Sequence, residues 1–245
     1  MKIVYRIYQL LIALPLLLIC TLLTAIITDL TFWARNSTFC HLVQQLWSRS
    51  FFWLLGLPVT IEGTENIVPG RSYVFVSNHQ SMFDVWLIYG YLPVVYKWMM
   101  KKELRYVPMI GNPCAAAGHI FVDRKNPRAA YRAMQKLKSE LHDGVSTVIF
   151  PEGTRSRTGE MGRFKRGAFQ IALDLGLDII PLSISGAHAV QRPGEFFVHR
   201  HPVKLVVGRP IEMHIDRTKE VAEVRAEEEA FIARVQQAVA DNIEK

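Results

Sequence analysis

Tyr73-Val74-Phe75-Val76-Ser77-Asn78-His79-Gln80-Ser81-Met82-Phe83-Asp84 is the stretch on which the reading of this chain turns. Tyr73–Val76 is a short apolar run of the kind that fills a buried strand, and a helical pattern follows from Met82 to Tyr91. A histidine and a carboxylate are thus delivered where a strand ends and a helix begins. In α/β sheets that rim is where ligands bind. On an ideal helix, residues five apart sit about 140° around the axis from one another and do not face each other. With His79 just ahead of the helix, the intervening turn can fold Asp84 back against its ring. The carboxylate would then hold one ring nitrogen protonated and leave the other free as a base. The plainer alternative is a histidine capping a turn and an aspartate in a first helical turn. The stretch alone leaves both open.

Working outward, the pattern after Pro58 is α/β. Strands are predicted at Val59–Glu62, Tyr73–Ser77, Val94–Tyr96, Ile120–Val122, Thr147–Phe150, Ile179–Ser185 and Val203–Val207. Helices are predicted at Met82–Tyr91, Pro127–His142, Gly167–Leu175 and Lys219–Glu244. This alternation implies a mostly parallel central sheet flanked by helices on both faces.

The N-terminal part differs. Lys2 and Arg6 precede an uncharged run from Ile7 to Ile27, and these 21 residues would span about 31 Å as a helix. A signal peptide is the competing reading; the run is long for one, and no small-x-small cleavage site follows. Pro15 suggests a kink. Asn36 and Ser37 then look like the cap of a second helix. Phe39, Leu42, Val43, Leu46, Trp47, Phe51, Trp53, Leu54 and Leu57 follow at mostly helical spacing, with Gln44, Gln45, Ser48 and Arg49 opposite. Such a helix can lie in the head-group plane or pack on a globular core. The expected division is a two-helix membrane-anchoring motif at 1–57 and an α/β domain at 58–245.

Composition bears on the partners. The chain has 245 residues, enough for one sizeable core, with 50% hydrophobic residues and a mean hydropathy of +0.13. That value is high for a soluble protein and points to apolar surface facing lipid. The formal net charge is +7, but the positive charge is concentrated: Lys97 to Arg166 holds 15 Lys/Arg against 6 Asp/Glu, whereas Glu212 to Lys245 holds 9 acidic against 5 basic residues. An anionic ligand or anionic lipid fits the middle of the chain. Nucleic acid fits poorly, because the basic segment lacks regularly interleaved aromatics. Cys20, Cys40 and Cys114 are too widely spaced to suggest a disulfide framework or a zinc site.

Three further segments end strands in polar or charged residues. Ile120-Phe121-Val122 runs into Asp123-Arg124, Val148-Ile149-Phe150 into Pro151-Glu152-Gly153-Thr154-Arg155-Ser156, and Ile179-Ile180 into Pro181-Leu182. From Thr154 to Gly167 lie Arg155, Arg157, Arg163, Lys165, Arg166 and three glycines. Glycine lets backbone N–H groups approach a phosphate, and arginine offers a bidentate fork to its oxygens. A solvated charge run is the alternative; adjacency to a strand end favours an anion site. Lys125, Arg128, Arg132 and Lys136 instead form a stripe along one helix face, read as a solvated or lipid-facing surface.

These residues resemble the glycerophospholipid acyltransferases. His79 with Asp84 matches their HxxxxD block, and Gly118-His119-Ile120-Phe121-Val122-Asp123-Arg124 is similar to their second. Phe150-Pro151-Glu152-Gly153-Thr154-Arg155-Ser156 resembles the third block and Ile180-Pro181-Leu182 the fourth, all in order between Val59 and Val207. Lys101-Lys102-Glu103-Leu104 with Pro108-Met109-Ile110-Gly111 looks like the connecting segment of the 1-acylglycerol-3-phosphate acyltransferase branch. His119 departs from the pattern, since the family usually has an apolar residue there.

The resemblance implies acyl transfer from acyl-CoA or acyl carrier protein to the sn-2 hydroxyl of lysophosphatidic acid, giving phosphatidic acid. A different acceptor, such as a lyso-ornithine lipid or another lysophospholipid, is the alternative. A basic membrane-surface module and a thioester hydrolase are further readings. By the resemblance, His79 is the general base, Asp84 its orienter, and Arg124, Glu152, Gly153, Thr154, Arg155 and Lys101 bind or position the substrate. Pro181 is structural or lines the acyl-chain site. No cofactor beyond the acyl donor and no metal is implied, and no G-x-S-x-G surrounds Ser183 or Ser185. The expected location is a membrane, the inner one in a bacterium, with the site on the cytoplasmic side where such donors reside. Lys2 and Arg6 also favour a cytoplasmic N-terminus. His41, Gln44, Gln45 and Arg49 would be costly in hydrocarbon, which points to a shallow anchor rather than two full spans. Cysteine labelling through Ser37→Cys tests this. Protection from an impermeant reagent in intact cells, with labelling only after lysis, is the expected result; labelling from outside would mean that the chain crosses and returns.

Overall fold

The computed structural model describes residues 2–33, 37–123, 125–215 and 218–244; Arg124 and Asn36, both singled out above, lie outside them. Two helical segments, α1 (Lys2–Tyr8) and α2 (Leu14–Trp33), are joined without a break by a π-helical turn at Gln9–Ala13. There Leu14 N–H bonds to Gln9 O, one residue further back than in an α-helix, immediately before Pro15. The wide turn sits where proline would otherwise leave a carbonyl unpaired. It also turns the Gln9 amide inward, where Nε2 donates to Val198 O at 2.8 Å and Oε1 accepts from Val198 N at 2.9 Å.

Helix α3 (Ser37–Leu54) runs back along α2. Tyr5 and Tyr8 hydroxyls donate to Leu55 O and Leu54 O, each at 2.7 Å, and Trp47 Nε1 donates to Thr21 Oγ1 at 2.9 Å. The polar stripe of α3 faces the protein. Gln44, Gln45 and Arg49 donate to the carbonyls of Pro113, Leu92 and Gly90, and Ser48 is fully buried. The outward stripe is apolar: Phe39, Leu42, Leu46 and Trp53 are 43–60% exposed. The helix thus packs on the core through its polar stripe while keeping an apolar stripe outward, so the two readings do not compete. Of the groups expected to be costly in hydrocarbon, Gln44, Gln45 and Arg49 are satisfied by the body behind them, whereas His41 Nε2 is buried without a partner among the described residues.

The α/β body follows as β1 (Val59–Glu62), β2 (Val74–Ser77), α4 (Phe83–Tyr91), β3 (Tyr96–Lys97), β4 (Met99–Lys101), α5 (Gly111–Ala116), β5 (Ile120–Val122), α6 (Pro127–Glu140), β6 (Ser146–Ile149), α7 (Gln170–Leu175), β7 (Ile179–Ser185), α8 (Ala187–Val190), β8 (Val203–Val207) and α9 (Val221–Ala240). Six strands form one sheet in the order β1-β8-β7-β2-β6-β3, parallel at every pairing except β7–β8. The central strands β2 and β7 are buried at every residue, while β1 alternates between half-buried and exposed. One face carries Tyr73, Phe75 and Leu182 against Phe52, Phe83 and Leu87, and shares its core with Ala13 and Leu17 of the N-terminal helices. The other carries Val74, Val76 and Ile179 against Leu137, Ile171 and Val235 of α6, α7 and α9.

Two details depart from expectation. Ile120–Val122 does not join the main sheet; it pairs in parallel with Met99–Lys101, a strand that the sequence reading lacked. A three-residue apolar run carries no information about which sheet it joins. The antiparallel β8 reflects its connection, since the return from β7 passes through only the four-residue α8, not a full crossover helix. Pro181 sits inside central β7, one residue before the ladder with β8 begins at Leu182, so its missing N–H disrupts no pairing there. Its carbonyl accepts from Gly208 N at 2.8 Å.

His119, the unusual residue of the second block, is part of a buried relay. Trp98 N donates to its Nδ1 at 3.3 Å, which leaves the proton on Nε2, 3.2 Å from the Tyr89 hydroxyl. That hydroxyl donates to Gln44 Oε1, whose amide donates on to Pro113 O. Burial, the Lys97 ammonium and His41 push the His119 pKa from 6.5 down to about 3. The folded chain therefore keeps this ring neutral where the unfolded chain protonates it. Its contribution is complete above the unfolded value and drains away as pH falls toward the folded one, by up to about 1.4 kcal/mol per pH unit. In denaturant titrations, the stability advantage of the wild type over His119→Phe should shrink steadily as pH drops below 6.5. A constant offset down to about pH 5 would contradict this.

Candidate active site

The site is built at the carboxyl end of β2, where Asn78 fixes the exit of the chain. Its fully buried amide is spliced into β7, with Nδ2 donating to Ile184 O at 2.9 Å and Oδ1 accepting from Ile184 N at 2.8 Å. The next residue, His79, turns its Nδ1 to Asp84 Oδ2 at 2.8 Å. Asp84 lies in the first turn of α4 and is fully buried; the same Oδ2 accepts from Gln80 N at 2.6 Å and Ser81 N at 2.8 Å. Because a carboxylate only accepts, Nδ1 carries the ring proton and Nε2 is left as the basic nitrogen. The His79 side chain stays 15% exposed.

The third block wraps around this turn. Both Glu152 carboxylate oxygens are committed to backbone donors: Oε1 accepts from His79 N at 2.7 Å and Oε2 from Gly162 N at 2.8 Å. Burial pushes the Glu152 carboxyl above its usual range, against the pull of the two N–H groups. Ser156 N donates to His79 O at 2.8 Å, and Gln80 Nε2 donates to Gly159 O at 2.6 Å. Glu152 thus acts on the site through the backbone of His79. Phe150 stacks on the His79 ring with centroids 4.0 Å apart and planes at 15°, and Trp98 stacks on Phe150 at 5.5 Å and 20°. This aromatic wall was not anticipated: Phe150 read as the end of a strand, and no spacing rule ties Trp98 to it.

Of the basic residues, Arg155 is half-buried with neither a hydrogen bond nor an ion pair among the described residues. Gly153 and Thr154 are exposed beside it, and Gly153 has φ +78, a left-handed backbone that favours glycine. Lys101 is exposed at the end of β4, in register with Val122, two residues before Arg124. Arg166 is not a free cation, since its Nε donates to the buried Glu228 at 2.8 Å. The Arg128, Arg132 and Lys136 stripe of α6 is exposed, and α6 packs on the sheet face opposite the N-terminal helices. A general base, a dry wall for its ring and uncompensated positive charge on the adjoining loop are what deprotonation of an alcohol on an anionic substrate requires.

Residues 58–185 match the family model described as acyltransferase. The 1-acyl-sn-glycerol-3-phosphate acyltransferase of Pseudomonas aeruginosa is 30% identical over 196 residues, 78% of this chain and 75% of that protein. The protein of the same name from Cocos nucifera is 34% identical over 172 residues, 70% of this chain and 55% of that one. This chain spans about half the length of the plant relatives it matches. The crystal structure of the 1-acyl-sn-glycerophosphate (LPA) acyltransferase PlsC from Thermotoga maritima shares the fold, with a TM-score of 0.67 at 24% identity over 92% of this chain and 97% of that one.

Glu152→Ala should leave the N–H groups of His79 and Gly162 without an acceptor, at a cost of about 1–3 kcal/mol each. Thermal unfolding in detergent should shift down accordingly; an unchanged midpoint would count against the bracing role.

Proposed function

The chain belongs to the acyltransferase family, and on that premise we propose that it moves a fatty acyl group from acyl-CoA or acyl carrier protein to the sn-2 hydroxyl of lysophosphatidic acid, forming phosphatidic acid. The observation that carries this reading is the His79–Asp84 pair, with Nδ1 bound to the buried carboxylate at 2.8 Å and Nε2 as the remaining base. The acceptor hydroxyl gives its proton to Nε2 as its oxygen attacks the thioester carbonyl. When the tetrahedral intermediate collapses, the C–S bond breaks and the thiolate leaves with the proton from His79. A positioned base of this kind contributes about 10²–10⁴ in rate. Arg124, Arg155, Lys101, Gly153 and Thr154 would receive the acceptor phosphate, while Glu152 holds the turn. The unpaired charge on this loop favours a phosphomonoester over acceptors such as lyso-ornithine lipid.

Membrane association fits the same reading, because both acceptor and product are lipids. The helix from Lys2 to Leu30, which holds an 18-residue window of mean hydropathy 2.9, is long and apolar enough to cross a bilayer. Its α3 partner exposes the apolar stripe described above. A cytoplasmic site would meet either donor without crossing the membrane.

Purified enzyme supplied with acyl-CoA should convert lysophosphatidic acid faster than lyso-ornithine lipid or head-group-bearing lysophospholipids. His79→Ala and Asp84→Asn should each lose about 10²–10⁴ in turnover. Preference for another acceptor would move the assignment to the alternative lipid, and near-normal turnover in folded variants would falsify the role of the pair.

A further inference from the structure

We propose that Lys165, which lies outside the four sequence blocks, is a phosphate ligand of this site and sets its preference for a bare phosphomonoester. The inference rests on the acyl-transfer reading above and deepens it. Lys165 N donates to Pro151 O at 3.1 Å, which ties the residue to the turn that carries Glu152 and Gly153. Its side chain then lies across that turn. A methyl group added to Gly153 would come within 3.0 Å of Lys165 Nζ and 3.8 Å of its Cδ and Cε. The left-handed φ of +78 calls for glycine at 153, and the lysine lies over its open side.

The charge there is unspent. Lys165 is exposed, and its side chain has neither a hydrogen bond nor an ion pair among the described residues. Three cations of the basic segment, by contrast, are matched: Arg166 by Glu228, Lys138 by Asp174 and Lys102 by Asp123. The one carboxylate on the turn itself, Glu152, has both oxygens committed to backbone N–H groups. Lys165, lying against Gly153, and Arg155, two residues further along, therefore present two uncompensated cations on the loop whose Glu152 braces His79. A compact ammonium with three donors and a guanidinium fork together suit the doubly charged, three-oxygen end of a phosphomonoester. A phosphodiester offers less charge and a bulky substituent in the same place.

Two experiments test this on the full-length chain. In kinetics, Lys165→Met should raise KM for lysophosphatidic acid about 10- to 100-fold, as expected for loss of a charged hydrogen bond, with KM for acyl-CoA and kcat nearly unchanged. Gly153→Ala, which crowds the same ammonium, should act in the same direction, and Lys165→Arg should recover part of the loss. In the second experiment, amine-selective reagent is added to wild-type protein and the modified lysines are mapped by peptide mass. Lysophosphatidic acid should slow modification of Lys165, whereas uncharged 1-acylglycerol and acyl-CoA should not. This readout needs no turnover, so it judges phosphate binding even if the acyl transfer itself were misassigned. Unslowed modification of Lys165, equal protection by acyl-CoA, or a Lys165→Met enzyme with unaltered KM for the acceptor would each overturn the proposal.

Discussion

One oxygen atom, Oδ2 of Asp84, gathers the N–H groups of Gln80 and Ser81 and the Nδ1 of His79. A carboxylate this deeply buried with no cation beside it needs compensation of another kind. It comes from those donors and from the position of Asp84 in the first turn of α4, where the helix dipole favours negative charge. The turn from 79 to 84 can close only around that atom, and its closure decides which ring nitrogen of His79 is basic. Glu152 braces the opposite side of the same turn through His79 N. Two buried carboxylates thus hold one histidine, one through its ring and the other through its backbone.

The parts of this arrangement that were legible in the sequence were those set by short-range geometry. The five-residue spacing of His79 and Asp84 across a strand-to-helix junction led to the observed contact, and the apolar runs of β2 and β7 marked the centre of the sheet. What was illegible depended on distant partners. Amphipathicity showed that α3 has a polar stripe but not that the carbonyls of Gly90, Leu92 and Pro113 await it. The stack of Trp98, Phe150 and His79 joins three separate segments by shape alone. Likewise the basic run around residue 160 gave a charge total. Only the fold separates Arg166, paired with Glu228, from cations without a partner.

His119 illustrates how a local oddity acquires a reason. A polar ring at the head of β5 looked like a disturbance of an apolar position. In the fold it links Trp98 N, on the strand side, to Tyr89 and through it to Gln44 on α3. The second block and the N-terminal helices are thereby joined by one continuous polar thread inside an otherwise apolar face.

The same intimacy has a practical side. Membrane helices are often cut away to obtain a protein that can be handled in water, and Pro58 looks like a natural place to cut. Here the excised piece would take with it Phe52 and Leu55 from the core. It would also strip donors from the carbonyls of Gly90, Leu92, Pro113 and Val198. The remainder would show a raw apolar face dotted with unpaired polar atoms, a surface prone to aggregation. For this chain, the hairpin is a wall of the α/β body, and detergent is a gentler route to solution than the scissors.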